Sequence, residues 1–202
     1  MTKIKNFRIT LRAREILRWL KKERGLETTP DLEVSVEHLT KEGKPWIEPA
    51  AVYSTLTRQI AEKTTALSFP EKTIAVSVMA VSIGASLRQK RSEAADDPSR
   101  EALLAALEQE ALSQSVQFAV RLLQDQAKEE DCEMSAPVYA QENVAVSALA
   151  SLIGVQRIGI ELDPSVAELP SHVRVAWLFW TPIGKGSRQT PAGRQGAEKA
   201  VA

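Results

Sequence analysis

Few residues in this chain are of the types that carry acid–base, nucleophilic or metal chemistry. There are two histidines, His38 and His172, and one cysteine, Cys132. The histidines are far apart in the sequence, and the Gly-x-Ser-x-Gly turn that exposes a catalytic serine is absent. A single cysteine excludes an internal disulfide and a cysteine metal cluster. These residues predict no reaction by themselves, and whether the protein is an enzyme stays open at this stage.

The surroundings of Cys132 indicate an inert thiol. It follows Glu129, Glu130 and Asp131 and precedes Glu133. Neighbouring negative charge disfavours the thiolate, which is the nucleophilic form of cysteine. Consecutive side chains point in different directions, so these carboxylates do not converge on a cation. We interpret the acidic run as a solvated helix end.

One segment of the chain is strongly basic. Residues 3–24 hold nine lysines and arginines against Glu15 and Glu23. This pattern fits either a phosphate-binding surface or the solvated face of a helix around a short apolar stripe. The whole chain has 26 basic and 26 acidic residues, with a pI near 6.8, which argues against a nucleic-acid partner. A net charge near zero also makes self-association easier, so a homo-oligomer stays open.

The length and composition suit a single domain. With 202 residues, 44% of them hydrophobic, the chain can bury a substantial core. We place the domain at residues 1–182 and interpret residues 183–202, which lack apolar periodicity, as a disordered tail. The N-terminus has no apolar signal core, and the longest apolar run, residues 74–83, is too short to span a bilayer. We therefore expect a cytoplasmic protein with no membrane partner.

The hydrophobic periodicity predicts a mixture of helices and strands. Helices are predicted at residues 10–24, 31–42, 86–91, 99–130 and 141–153. Strands are predicted at residues 47–60, 73–83, 155–162 and 172–180. The strand at 73–83 is rich in β-branched residues and apolar on both faces, which is typical of a central, covered strand. The helix at 99–130 carries a sustained apolar stripe, so the pattern predicts an α+β fold with one long helix.

The turn after the long helix is the best candidate for a ligand site. It reads Met134-Ser135-Ala136-Pro137-Val138-Tyr139. Backbone groups of Ala136 and Val138 can hold the polar edge of a ligand while the Tyr139 ring packs on it. Ser82 and Gly84, at the end of the predicted central strand, are weaker candidates. Gly84 permits a tight turn there, but no glycine-rich phosphate loop follows it.

The order and spacing of these elements carry a family resemblance. A helix leads to Ile47-Glu48-Pro49-Ala50-Ala51-Val52-Tyr53, and the central strand ends at Val81-Ser82-Ile83-Gly84. After the long helix come the turn, Arg157-Ile158-Gly159-Ile160-Glu161-Leu162, and then Leu169-Pro170-Ser171-His172-Val173. Over residues 8–180 the chain resembles the reactivation domain of cobalamin-dependent methionine synthase and its stand-alone relatives.

This resemblance implies both a fold and an activity. The implied fold is α+β, with helices packed beside a twisted antiparallel sheet. The implied activity is to bind S-adenosylmethionine and present it to a corrinoid held by a partner protein. The cobalamin of that partner is reduced by an electron donor such as flavodoxin or ferredoxin and is then remethylated. The implied partner is a corrinoid protein or a corrinoid methyltransferase. Cobalamin is bound by that partner and not by this chain itself.

The turn departs from the family pattern at two positions. The family's binding turn reads Arg-x-x-Pro-Gly-Tyr and matches positions 134–139, where Pro137 and Tyr139 are retained. Met134 replaces the arginine, which removes a charge-assisted contact to the methionine carboxylate. Val138 replaces the glycine, and its β-branched side chain resists positive φ and fills space near the backbone.

Two hypotheses follow from the resemblance and its departures. In the first, the protein is a stand-alone reactivation-domain relative with Ala136, Val138 and Tyr139 at its S-adenosylmethionine site. In the second, it is a non-enzymatic binding or scaffold module that keeps the fold but has lost this ligand.

Overall fold

The computed structural model describes residues 1–65, 67–140, 152–161 and 169–184. The predicted helix at 141–153 lies outside these residues except for its last two positions. Residues 185–202 of the predicted tail also lie outside them. Within the described residues the chain forms an antiparallel sheet with helices packed on it, and the predicted α+β fold is confirmed.

The sheet has six strands within the described residues. They are β1 (Thr2–Lys5), β2 (Ala50–Thr57), β3 (Ala75–Ser82), β4 (Cys132–Met134), β5 (Val138–Tyr139) and β6 (Val173–Pro182). The order is β1-β2-β3-β6-β4, and β5 also pairs with β6. Every pairing is antiparallel. β3 therefore lies inside the sheet, as its two apolar faces predict.

Five α-helices accompany the sheet in the described part of the chain. They are α1 (Ala13–Arg24), α2 (Pro30–Glu42), α3 (Arg58–Thr64), α4 (Ser86–Glu93) and α5 (Pro98–Glu129). The start of α5 is fixed by Asp97, whose carboxylate accepts the backbone N–H groups of Ser99 and Arg100 at 3.1 and 3.0 Å. None of the described helices is long and apolar enough to cross a membrane.

The long helix α5 covers one face of the sheet. Its Val116, Ala119 and Leu123 pack against side chains at alternating positions of β2, β3 and β6, with Tyr53 and Met79 among them. The opposite face is covered by residues 152–160, whose apolar members form a second cluster with β2, β3 and β6. Both faces of the middle strands are thus buried, which explains their nearly continuous apolar sequence.

The strand predicted at residues 155–162 is wrong. Residues Val155–Ile158 form a single turn of 3-10 helix. Gly154 and Gly159 bracket this turn, and both have positive φ, at 61° and 76°, which reverses the chain on either side. Val155, Ile158 and Ile160 are still buried against the sheet. A short apolar run looks the same in a strand and in a buried helical turn, so periodicity could not separate them.

The strand predicted at residues 47–60 is too long at both ends. β2 stops at Thr57, and Arg58 begins α3 while its backbone N–H bonds to the carbonyl of Ile74 at 2.8 Å. The Arg58 guanidinium bonds to Glu62 one helical turn later, at 2.7 Å, and to the carbonyl of Glu71 at 2.9 Å. This arginine ties the end of β2 to the loop before β3, a contact that strand periodicity does not encode.

Packing between α5 and the sheet should dominate the stability of this domain. Leu123 is completely buried, whereas its neighbour Leu122 is partly exposed. We expect Leu123→Ala to lower the free energy of unfolding by about 2–5 kcal/mol, because it leaves a cavity between α5 and the sheet. Leu122→Ala removes the same atoms and should cost less than half as much. Urea denaturation measures both values, and equal losses would contradict this packing.

Candidate functional site

The predicted ligand turn is a bulged edge of the sheet. Met134 pairs with Trp180, whereas Val138 pairs with Trp177, so four steps along this segment match three steps along β6. One extra residue is therefore accommodated between β4 and β5, which is a β-bulge. Pro137 lies within the bulge, where no strand-to-strand hydrogen bond needs the backbone N–H that proline lacks. The sequence predicted a turn here, and the structure makes it part of the sheet.

Ser135 fixes the geometry of the bulge. Its backbone N–H donates to the carbonyl of Phe179 at 2.9 Å. The backbone N–H of Phe179 in turn donates to the Ser135 hydroxyl oxygen at 3.0 Å, and that hydroxyl bonds to the Ala136 carbonyl at 2.8 Å. The Ser135 hydroxyl oxygen thus accepts the hydrogen bond that a backbone carbonyl of the neighbouring strand would otherwise accept. Both the N–H and the C=O of buried Phe179 therefore have hydrogen-bond partners.

The bulge reverses which face the following side chains occupy. Paired strand residues share a face, and a shift of one residue moves every later side chain to the other face. Tyr139 consequently lies on the α5 face beside Ala176, and Val138 lies on the opposite face beside Trp177. Val138 is 41% exposed and Tyr139 is 44% exposed, and Ala136 is also exposed. The three predicted site residues therefore lie together on one accessible edge.

Backbone groups also point outward at this edge. The N–H of Ala140 donates to the carbonyl of Val175 at 3.0 Å. Because backbone groups of successive strand residues alternate in direction, the N–H and C=O of Tyr139 are directed away from β6. The edge therefore presents a donor, an acceptor and an aromatic ring within one residue.

Ser82 and Gly84 are not part of this edge. Ser82 pairs with Val173, which lies four residues along β6 from Trp177, a distance of about 13 Å in a strand. The Ser82 hydroxyl oxygen accepts the Gly84 N–H at 3.1 Å, and Gly84 has φ of 77°. These two residues form the turn from β3 into α4. Their positions give no support to a role in ligand binding.

Met134, which occupies the arginine position of the family turn, is packed against the core. It points to the α5 face and contacts the cluster formed by Ala127, Cys132 and Trp180. It also borders the main cluster between α5 and the sheet. Its side chain therefore contributes apolar contact, and nothing in its position offers charge to a ligand.

A partly buried arginine lies beside the exposed edge instead. Arg174 is on the same face as Ala176 and Tyr139. Its guanidinium donates to Gln109 on α5 at 3.0 Å and to the carbonyls of Val173 and Ser171 at 2.9 and 3.3 Å. Burial lowers the pKa of Arg174, while the nearby Glu108 and Tyr139 act in the opposite direction. A guanidinium stays charged at neutral pH in any protein environment.

A group of acids on α5, which the sequence did not single out, is buried or partly buried. Glu108 is completely buried, and its carboxylate accepts hydrogen bonds from the Arg91 guanidinium and, at 2.9 Å, from the Ser171 hydroxyl. Arg91 also pairs with Glu101, which lies on the same face of α5 as Glu108 at a spacing of seven residues. That spacing, together with the basic residues Lys90 and Arg91 in the last turn of α4, was the signal available in the sequence.

Five of the nine basic residues in the basic segment pair with acids of the same protein. Arg12 pairs with the buried Glu110 at 3.0 Å. Four more pairs follow, namely Arg18 with Glu15, Lys21 with Glu27, Lys22 with Glu23, and Arg24 with Glu101. This favours a paired, solvated helix face over a phosphate-binding surface.

The remaining titratable candidates show no catalytic arrangement in the described residues. Cys132 is buried, and desolvation followed by the charges of Glu130 and Asp131 raises the pKa of its thiol, as the sequence indicated. His38 is on the surface, 3.4 Å from Glu42. No three of the described His, Cys, Asp and Glu side chains are grouped so that they could bind a metal ion.

With the fold and this edge described, comparison with solved structures identifies the class of protein. The chain is similar to the crystal structure of the MetH reactivation domain bound to AdoHcy, with a TM-score of 0.51 and 14% sequence identity. The match covers 92% of this chain and 80% of that chain. The protein therefore has the reactivation-domain fold, and the expected resemblance is confirmed at the level of the fold. No protein-family model matches the chain, and no curated protein matches it either.

His172 should make stability depend on pH. Burial and the neighbouring charge of Arg88 lower the pKa of His172 from its ordinary value of 6.5, although Glu108 acts in the opposite direction. Its buried Nδ1 has no hydrogen-bond partner among the described residues. As the pH falls below 6.5, the unfolded chain binds this proton more readily than the folded one, so stability is lost.

We expect the free energy of unfolding to fall between pH 7 and pH 5.5, and His172→Gln should reduce that slope. His38→Gln is the matched control, because it removes a histidine from an exposed position on α2. Urea titrations at several pH values measure the three slopes. Equal slopes for the wild type and His172→Gln would show that this histidine is not the cause.

Proposed function

We propose that this protein is a relative of the S-adenosylmethionine-binding reactivation domain. It docks on a corrinoid protein and supports reductive remethylation of the cobalamin that the partner holds. The observation that supports this most directly is the reactivation-domain fold over 92% of the chain. S-adenosylmethionine, when bound, would supply the methyl group, and the electron would come from a separate donor protein.

The candidate edge has the surface properties that this role needs. Val138 and Tyr139 are among the exposed large apolar side chains, and they stand on a short strand at the edge of the sheet. The ring of Tyr139 offers a face for packing, and its outward backbone groups offer a donor and an acceptor. Ala136, Val138 and Tyr139 would hold the ligand, and the apolar surface of Val138 would face the partner.

A second function is favoured by one specific observation. Met134 is packed into the core at the position where the family turn has arginine. If no other residue supplies the missing charge, the protein would be a non-enzymatic docking or scaffold module that keeps the fold without the ligand. The two functions share the docking edge and differ only in S-adenosylmethionine binding, so one titration separates them.

Calorimetric titration with S-adenosylmethionine tests the ligand part of the proposal. We expect binding in the micromolar range, together with a rise in melting temperature as ligand is added. The absence of both heat and thermal stabilisation at millimolar ligand would exclude direct use of S-adenosylmethionine and leave the scaffold function.

Binding to a purified corrinoid protein with cob(II)alamin tests the docking part. We expect Val138→Glu to weaken the complex at least tenfold, because it places a charge in an apolar contact. Val34→Glu is the matched control, since Val34 is 68% exposed on α2, far in sequence from this edge. If both variants bind the corrinoid protein as the wild type does, the edge is not the docking surface.

A further inference from the structure

The guanidinium of Arg174 is held in one orientation by neutral groups. Its Nη1 donates to two backbone carbonyls, of Ser171 and Val173, and its Nη2 donates to the Gln109 side-chain oxygen. A guanidinium carries five N–H groups, so two of them, including the Nε–H, have no acceptor among the described residues. The contacts fix the side chain without neutralising its charge.

This arrangement differs from those of the other arginines that contact α5. Arg12 meets the carboxylate of Glu110, and Arg91 meets those of Glu101 and Glu108. Arg174 instead meets Gln109, the neutral residue that lies between two acids in the sequence. A partly buried charge is costly unless an opposite charge compensates it.

Glu108 compensates part of the charge of Arg174 through space, but it makes no ion pair with the guanidinium. The two carboxylate oxygens of Glu108 are occupied by Arg91 and Ser171. No ion pair joins Arg174 to any acid in the described residues. Within the part of the chain that the structure describes, Arg174 is therefore a fixed cation with unused donors, which is the arrangement that suits an anionic ligand.

Arg174 is also next to the exposed edge. Tyr139 pairs with Ala176, and Arg174 lies two residues further along β6 on the same face. Such diagonal neighbours are about 7–8 Å apart and within reach of aromatic and long side chains. The unused donors and the exposed tyrosine can therefore contact one small molecule at the same time.

We propose that Arg174 binds a ligand carboxylate, and that this carboxylate is the amino-acid end of S-adenosylmethionine. The planar guanidinium matches a carboxylate with two parallel hydrogen bonds, which an ammonium group does not. Arg174 thereby supplies from β6 the charge that Met134 does not supply from the bulged edge. This inference rests on the proposed function and names the residue that would bind the carboxylate of the ligand.

The test compares two protein variants with two ligands by calorimetry. Arg174→Gln removes the charge, and Gln109→Glu keeps the arginine but gives it a carboxylate partner from the protein. Arg121→Gln is the control, since it removes the same charge from an exposed position on α5. The ligands are S-adenosylmethionine and decarboxylated S-adenosylmethionine, which differ in the carboxylate alone.

We expect Arg174→Gln and Gln109→Glu each to weaken S-adenosylmethionine at least tenfold, while Arg121→Gln leaves its affinity unchanged. Affinity for the decarboxylated ligand should be the same or higher in both variants. If Arg174→Gln fails to fold, Gln109→Glu still decides the matter, because it retains the guanidinium and its backbone contacts.

Three results would overturn the inference, and they are distinguishable. If the wild type binds S-adenosylmethionine and the variants bind it equally well, Arg174 is not the carboxylate contact and the proposed function stands. If the variants weaken the binding of both ligands equally, Arg174 does not contact the carboxylate, and the proposed function again stands. If the wild type binds neither ligand, the S-adenosylmethionine part of the proposed function fails and the inference fails with it.

Discussion

Strand β6 is hydrogen-bonded along both edges and covered on both faces, and the candidate site depends on this constraint. One edge pairs with β3 over eight residues, and the other pairs with β4 and β5. A strand held in this way cannot shift to absorb an extra residue. The extra residue must therefore be absorbed by the segment between Met134 and Val138. The bulge, the reversal of faces after it and the exposure of Tyr139 all follow from the rigidity of β6.

The long helix α5 meets the rest of the fold through two kinds of contact. Its C-terminal half packs apolar side chains on the sheet, and its N-terminal half carries buried acids paired with arginines. Arg12 joins the start of α1 to Glu110 on α5. Arg91 at the end of α4 and Ser171 in the loop before β6 both bond to Glu108 on α5. Buried ion pairs add little net stability, because desolvation offsets the attraction. They join α5 to α1, α4 and the loop before β6 around the position where Gln109 meets Arg174.

Local patterns in the sequence were enough for much of the fold. The periodicity of residues 99–130 and the β-branched run at 73–83 predicted α5 and β3, since both are determined by which side chains are buried. Residues 155–158 could not be assigned in this way, because a buried apolar run of that length suits a strand or a helical turn equally. β1 was missed as well: Lys3 and Lys5 look like a charged tail, and only pairing with β2 makes the segment a strand. Long-range pairing is absent from local patterns.

The residues of the candidate turn could be proposed from the sequence, whereas Arg174 could not. The family turn located Ala136, Val138 and Tyr139, and the structure brings them to one exposed edge. Arg174 gave no signal, because a single arginine in an apolar strand resembles any edge or interface residue. The proposed role of Arg174 depends on its contact with Gln109, which is 65 residues away in sequence. Gln109 is neutral, whereas the residues on either side of it are acidic.

The proposed transfer of the positive charge from position 134 to Arg174 has a physical basis. Position 134 faces Ala127 and Trp180 across the end of α5, and an unpaired guanidinium there would lose its hydration in an apolar cluster. Position 174 lies at the other end of the same face, where two backbone carbonyls and an amide solvate a cation without neutralising it. If Arg174 holds the ligand carboxylate as proposed, the fold can carry an apolar residue at position 134, because β6 offers another place for a positive charge beside Tyr139. A carboxylate contact made from β6 would also be more rigid than one made from the bulge, since β6 is held on both edges.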